Sequence, residues 1–260
     1  MKIVVIGGTG LIGSKLTAKL KALHHEVIVA VPSTGVNTLT AEGLDEAFTG
    51  AEIVVDLANS PNFEDEVAMH FFKTAGANIF AAEKKAGVGY HIALCVVGTP
   101  RLLASGYFRA KLEQERIIES SGIPYTIVHA TQFYEFMPAI VGSATSGEEV
   151  RVPPAAFQPI AAEDVAEILK DIVLGPPQNK IVEIAGPERG PQDEFVKTYM
   201  EATGNKRKLL RDVHAHYFGI SLNDESLVPA ADPRPRLGKI RFIEWLAEQN
   251  EKKGNQKSKK

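Results

Sequence analysis

The chain has 260 residues, enough for one large domain or for one domain with a small lobe. Its 44% hydrophobic and 23% charged content suits a globular protein, and a single cysteine excludes both a disulfide framework and a thiolate zinc site. The net charge of −3 includes five lysines and no acid in residues 252–260; setting those aside leaves −8 on residues 1–251, an acidic body unsuited to nucleic acid. No apolar run approaches the roughly 20 residues that a membrane span needs. The first apolar run ends in glycines and does not read as a secretory leader, so the expected location is cytoplasmic.

Lys2–Ile6 is a short apolar, β-branched run, the pattern of a central parallel strand. It leads into Gly7, Gly10 and Gly13, and Ser14–Leu23 then reads as a helix with Leu16, Leu20 and Leu23 on one face. Strand, glycine turn and helix in that order predict dinucleotide binding. Gly7 permits the tight turn, Gly10 lets the backbone approach a pyrophosphate, and Gly13 allows close helix–strand packing. The N–H groups and dipole at the helix start hold the phosphate charge.

Glu26–Val31 is the second predicted strand. Folds that prefer NAD usually place an acid about 20 residues after the turn, on the ribose 2′-hydroxyl. Here the strand ends Val31-Pro32-Ser33-Thr34-Gly35, with no acid to repel a 2′-phosphate. Ser33 and Thr34 are candidate donors to that phosphate, which favours NADP over NAD; in the other reading they only shape a turn.

Further strands are expected at Glu52–Asp56, His91–Val97 and Tyr125–His129, alternating with helices at Glu64–Lys85 and Tyr107–Ser121. The first of these helices shows Val67, Phe71, Ala75 and Ile79 near helical spacing. The alternation predicts an α/β fold, a Rossmann-type doubly wound parallel sheet. Ala162–Leu174, Gln192–Thr203 and Lys239–Asn250 read as helices, Lys180–Ala185 as a strand and Pro229–Pro235 as a proline-rich loop. These pieces predict a single NAD(P)-binding domain. Residues 1–150 form mostly the cofactor-binding core, 151–250 a smaller substrate lobe over the C-terminal edge of the sheet, and 251–260 a disordered basic tail.

Tyr107 and Lys111 form a Tyr-x-x-x-Lys pair near the start of a helix, and residues four apart share a helix face. A lysine charge at about 4 Å in an effective dielectric near 20 favours phenolate by roughly 4 kcal/mol, about three pKa units. The expected consequence is a phenol tuned downward for proton exchange, with Tyr107 as the acid and Lys111 also holding the ribose hydroxyls. The competing reading is a surface tyrosine beside a solvated lysine.

GGTGLIG, the Tyr107–Lys111 pair, PYTIVHATQFYEF and IVEIAGPE together resemble the atypical short-chain dehydrogenase/reductases, specifically the NmrA-like NAD(P)-binding branch, over about residues 1–220. The resemblance implies a Rossmann-type domain with a small C-terminal substrate lobe. It also implies pyrophosphate neighbours at Gly7, Thr9, Gly10, Leu11, Ile12 and Gly13, and ribose neighbours at Ala58, Asn59 and Ser60. Val97 and Gly98 would approach the nicotinamide, and Ala130, Thr131, Gln132 and Phe133 would flank the junction of nicotinamide and substrate.

One departure stands out. Catalytically complete relatives carry a serine about twelve residues before the tyrosine, and Cys95, a weaker donor, holds that place here, with Ser105 or Thr99 as candidate substitutes. The implied activity is NAD(P)H-dependent reduction of a carbonyl or enone on a small apolar substrate, by a monomer or homodimer. The alternative is a non-catalytic dinucleotide-binding redox sensor acting through a protein partner. Outside the motif, Cys95 reads as core, His129 as a satisfied structural histidine, and His214 and His216 as packing beside Tyr217 and Phe218. Phe133, Tyr134 and Phe136 read equally as a substrate wall or as core.

Overall fold

A computed structural model describes residues 1–231 and 234–257. Asp232 and Pro233 of the expected proline-rich loop, and Ser258, Lys259 and Lys260 of the expected tail, lie outside the described residues. The chain forms two units, residues 1–130 with 165–182, and residues 131–164 with those from 183 onward. The chain passes from one unit to the other after residues 130, 164 and 182.

The first unit opens with β1 (Lys2–Ile6), α1 (Leu11–Ala22) and β2 (Glu26–Ala30), followed by a short α2 (Leu44–Phe48). It continues with β3 (Ile53–Asp56), α3 (Asp65–Ala86), β4 (Tyr90–Val96), α4 (Gly106–Ser120) and β5 (Tyr125–Ala130). The strands are parallel and most of their residues are buried, those of the edge strand β2 least, which is why they read as apolar runs.

Helix α1 starts three residues earlier than expected. Gly10 is already its extended N-cap, and Ser14 N–H reaches the Gly10 carbonyl at 3.0 Å, so Leu11, Ile12 and Gly13 form its first turn. The buried stripe of α3 also differs in its first half: Ala68 and Phe72, rather than Val67 and Phe71, are buried, because they pack on Ala110 of α4. Ala75 and Ile79 face the sheet as expected. Asp65 and Glu66 in the first turn of α3 and Lys84 and Lys85 in its last complement the helix dipole.

The second unit adds α5 (Met137–Ser143), β6 (Thr145–Ser146), β7 (Glu149–Val152) and β8 (Ala156–Phe157). Helix α6 (Ala162–Val173) and strand β9 (Ile181–Ala185) each have residues in both units. Then come β10 (Gly190–Pro191), α7 (Gln192–Thr203), β11 (Lys208–Arg211), β12 (Arg236–Leu237) and α8 (Phe242–Lys257). Strands β11, β7 and β6 make a small sheet, and β10 pairs with β8.

Helix α8 begins three residues later than expected because side chains take up the backbone N–H groups before it. Asp164 Oδ2 accepts from Lys239 and Ile240, and Glu188 Oε2 accepts from Phe242. The helix then runs to Lys257, through most of the stretch read as a disordered tail. The Glu248–Lys252 ion pair, four residues apart, suits that extension.

The main sheet has seven strands in the order β12-β9-β5-β4-β3-β1-β2. The chain leaves β1 for β2 on one side and returns to β3 on the other, so β1 and β3 flank the switch point where such sheets bind ligands. Ile6, Ala30 and Asp56 end their strands in register there.

Candidate functional site

The turn after β1 fits an anion. Gly7 has φ +73°, where a side chain is strained, and a Cβ on it would lie 3.0 Å from the Leu57 carbonyl oxygen beyond β3. A Cβ on Gly13 would lie 2.2 Å from the Gly7 carbonyl oxygen and 2.7 Å from Gly8 Cα, so the helix presses backbone to backbone on the turn. The start of α1 has no side-chain cap and no acid in its first turn, whereas α3 and α7 place acids there. Its free N–H groups and the bare Gly10 make an anion site that suits a bridging diphosphate. Thr9 and Leu11 are exposed on it, while Ile12 is buried.

At the end of β2, Thr34 shapes the turn. Its hydroxyl donates to the Val29 and Val31 carbonyls and accepts from Val31 N–H, all within 2.8–3.1 Å. Its single hydrogen is therefore committed to main chain. Ser33 is exposed, and no acid lies on this turn.

The end of β3 carries the polar link to α4. Asp56, 5% exposed, accepts from Ala58 N–H at 2.9 Å and from Gln114 Nε2 at 3.0 Å. Asn59 is exposed, and its Oδ1 accepts from Ser60 N–H at 3.0 Å and from the Tyr107 hydroxyl at 3.1 Å. Ser60 is buried and donates to the Asn62 carbonyl. Edge-on contacts from Phe63 and Phe108 hold the Tyr107 ring.

Tyr107, Lys111 and Gln114 form one stripe of α4. Lys111 is 2% exposed; its ammonium donates to the Leu94 carbonyl at 3.2 Å and to Gln114 Oε1, and sits 4.6 Å over the Phe72 ring. Burial alone would lower its pKa, but Cys95, Tyr107, Asp56 and Glu115 outweigh that, so it lies above that of a free lysine. Tyr107 departs from the expectation. Burial disfavours its phenolate more than Lys111 favours it, so the phenol titrates above its ordinary value. The ammonium donates to Leu94 and Gln114 rather than to the phenol, so Lys111 acts on Tyr107 only through its charge, and burial outweighs it.

Cys95 faces a core cluster of Phe80, Ala93, Ile118, Ile123 and Ile127, and its thiol donates weakly to Gln114 Oε1 at 3.8 Å. Burial pushes that thiol up to about 12, against the pull of Lys111. Thr99 is fully buried and its hydroxyl donates to the Val96 carbonyl, while Ser105 caps α4 without a side-chain bond. Val97 N–H reaches the Ala130 carbonyl at 2.9 Å, and Gly98 turns the chain at φ +91°.

In the second unit Thr131 and Gln132 are buried, and among the described residues Thr131 Oγ1 and Gln132 Oε1 have no hydrogen-bond partner. Phe133 bridges to Ile160 and its ring touches Phe136. Tyr134 is core: it is fully buried between Phe242 and Trp245, and its hydroxyl donates to the Ile240 carbonyl. His129 Nε2 lies 2.8 Å from Glu115 Oε1, the satisfied histidine expected. Among the described residues no cluster of His, Cys, Asp or Glu fits a metal ion, and no helix is long and apolar enough to cross a membrane.

Sequence reasoning missed Asp56 and Gln114. Asp56 is the one acid in an otherwise apolar strand, and Gln114 lies seven residues after Tyr107, on its helix face; together they were the available signal.

Residues 31–176 match the NAD(P)H-binding family. An isoflavone reductase-like protein of Olea europaea is 29% identical over 59% of this chain and 54% of its own length. An isoflavone reductase homolog A622-like protein of Nicotiana tabacum is 24% identical over 82% of this chain and 67% of its own. The chain thus spans about half to two thirds of these relatives. MoeE5, solved with UDP-glucose and NAD, is 18% identical with a TM-score of 0.75, over 96% of this chain and 98% of that one, a likeness of fold. With its Rossmann-type sheet and glycine turn, the chain belongs to the NAD(P)H-binding family, of the atypical short-chain dehydrogenase/reductase type.

Proposed function

We propose that this chain is an NADP(H)-dependent reductase acting on the carbonyl or enone of a small apolar substrate. The observation that carries the reading is Tyr107. It is a phenol that keeps its proton at neutral pH, bonded to Asn59 at the end of β3 and sharing a helix face with a buried lysine. When bound, NADPH would supply the hydride that reduces the substrate carbon. Tyr107 gives its hydroxyl proton to the substrate oxygen, exchanging Asn59 for that oxygen, and Lys111 steadies the phenolate left behind. Thr9, Leu11, Ile12 and Gly13 would hold the pyrophosphate through backbone N–H groups, while Gly7 and Gly10, whose N–H groups donate to the Ala30 and Gly7 carbonyls, would shape the turn and let the backbone come close. Asn59 and Ser60 lie on the ribose side, and Phe63, 58% exposed against the Tyr107 ring, offers an apolar wall. The absence of an acid after β2 and the exposed Ser33 support NADP over NAD. The reductase names of the plant relatives agree with the reaction class.

The test is NADPH oxidation across a panel of ketones, enones and quinones. Tyr107→Phe should lose at least about 100-fold in turnover while keeping its affinity for NADPH. Unchanged turnover in that variant would remove Tyr107 from the chemistry.

A second reading, a dinucleotide-binding regulator without turnover, is supported by Cys95. Where complete relatives have a serine donor, its thiol is held in the core by Gln114. Tight NADPH binding with no oxidation across the panel would favour it.

A further inference from the structure

Gln114 is 4% exposed and lies between two formal charges. Its Nε2 donates to Asp56 Oδ2 at 3.0 Å, and its Oε1 accepts from the Lys111 ammonium. The neighbours dictate which end of the amide faces which, because a carboxylate only accepts and an ammonium only donates. Asp56 is otherwise bonded to Ala58 N–H, and Glu115, the next carboxylate, is taken by His129. Among the described residues Lys111 has no carboxylate in direct contact, yet it is nearly enclosed, with the Leu94 carbonyl, the Gln114 amide oxygen, the Cys95 thiol and the Phe72 face around its charge. An ammonium so deprived of water needs its acceptors held in place.

We propose that Gln114 is the positioning residue of this site: its amide couples Asp56 to Lys111 and fixes the ammonium one helical turn below Tyr107. This rests on the reading of Tyr107 and Lys111 as the reacting pair, and it deepens that reading. An amide suits the place because it presents a donor to the anion and an acceptor to the cation, and charge-assisted bonds of this kind are the stronger ones. An apolar side chain would leave Asp56 and Lys111 buried with unmet bonds. A carboxyl would imitate the amide only while protonated, when it too has one donor and one acceptor.

The test uses the full chain labelled with 15N-lysine, without substrate. The Lys111 ammonium signal is assigned by its absence in Lys111→Met, and the phenol by an ultraviolet titration compared with Tyr107→Phe. In Gln114→Leu the ammonium signal should vanish into fast exchange, and the ionisation constant of Tyr107 should fall about tenfold as the lysine charge moves away. In Gln114→Glu the signal should match wild type near about pH 5, where the introduced carboxyl is protonated, and disappear by about pH 8.

A folded Gln114→Leu variant with the lysine signal and phenol titration of wild type would overturn the proposal. Where that variant does not fold, Gln114→Glu decides alone: the same lysine signal at both pH values overturns it, and the pH-dependent loss supports it. Neither readout involves turnover, so this result stands apart from the Tyr107→Phe assay. Turnover surviving in Tyr107→Phe would remove Tyr107 from the chemistry and leave the Gln114 result as measured.

Discussion

Tyr107 and Lys111 lie one turn apart on α4, yet their polar ends do not bond to each other. The phenol donates to Asn59 Oδ1 at 3.1 Å, and the ammonium to the Leu94 carbonyl and Gln114 Oε1. The lysine therefore acts on the phenol through its field, and burial is the stronger influence.

That balance sets a pH profile. A general acid works while protonated, and the Tyr107 pKa is raised by burial, so kcat/KM should stay level through neutral pH. It should fall only above the free-phenol value of about 10. Lys111→Met, which removes the pull toward phenolate, should move the falling limb to still higher pH. A limb centred below about pH 9 in wild type would contradict the burial argument.

The glycines of the first turn should differ in kind. Gly13→Ala puts a Cβ 2.2 Å from the Gly7 carbonyl oxygen, a backbone atom that cannot step aside cheaply. We expect a loss of about 3 kcal/mol in thermal or urea unfolding, together with loss of NADPH binding. Gly10→Ala meets only the Gly7 oxygen, at 3.3 Å, and should cost under about 1 kcal/mol while weakening NADPH binding measured by fluorescence titration.

Cys95 should be inert in the folded protein. It is 5% exposed and its thiol is pushed up to about 12, so almost none is thiolate at pH 8. An aromatic disulfide reagent should react with no thiol natively and with the single cysteine in denaturant. Rapid native reaction would mean that the strand opens, and would strengthen a redox role.

His91 and Glu83 form a buried pair, Nδ1 to Oε1 at 2.7 Å. Burial alone would lower the pKa of His91, but Glu83 and Asp56 outweigh it, so the value is raised. Glu83 is also raised, because burial outweighs the pull of His91. Both groups hold protons more tightly folded than unfolded, so the sign is the same for each. The contribution of His91 is complete below its unfolded pKa of about 6.5 and is lost as pH rises through the folded value. The stability gap between wild type and His91→Gln should therefore shrink as pH is raised from about 6 to about 9. Glu83→Leu should cost about 3–5 kcal/mol near neutral pH, because it leaves a buried imidazole without its partner.

The sequence by itself determined the alternation of strands and helices, the glycine turn and the shared face of Tyr107 and Lys111. Each of these follows from local spacing: β-branched runs make parallel strands, and residues four apart on a helix point together. It could not decide what Tyr107 and Lys111 touch, because their partners come from positions distant along the chain. Asn59 lies 48 residues from Tyr107, and Asp56 58 residues from Gln114, brought together only when β3 and α4 pack. The tertiary structure likewise committed Thr34 to its own turn and Tyr134 to the core, and it raised the Tyr107 pKa where spacing alone argued for a lowered one. Burial is a property of the folded whole, and here it outweighs a charge one helical turn away.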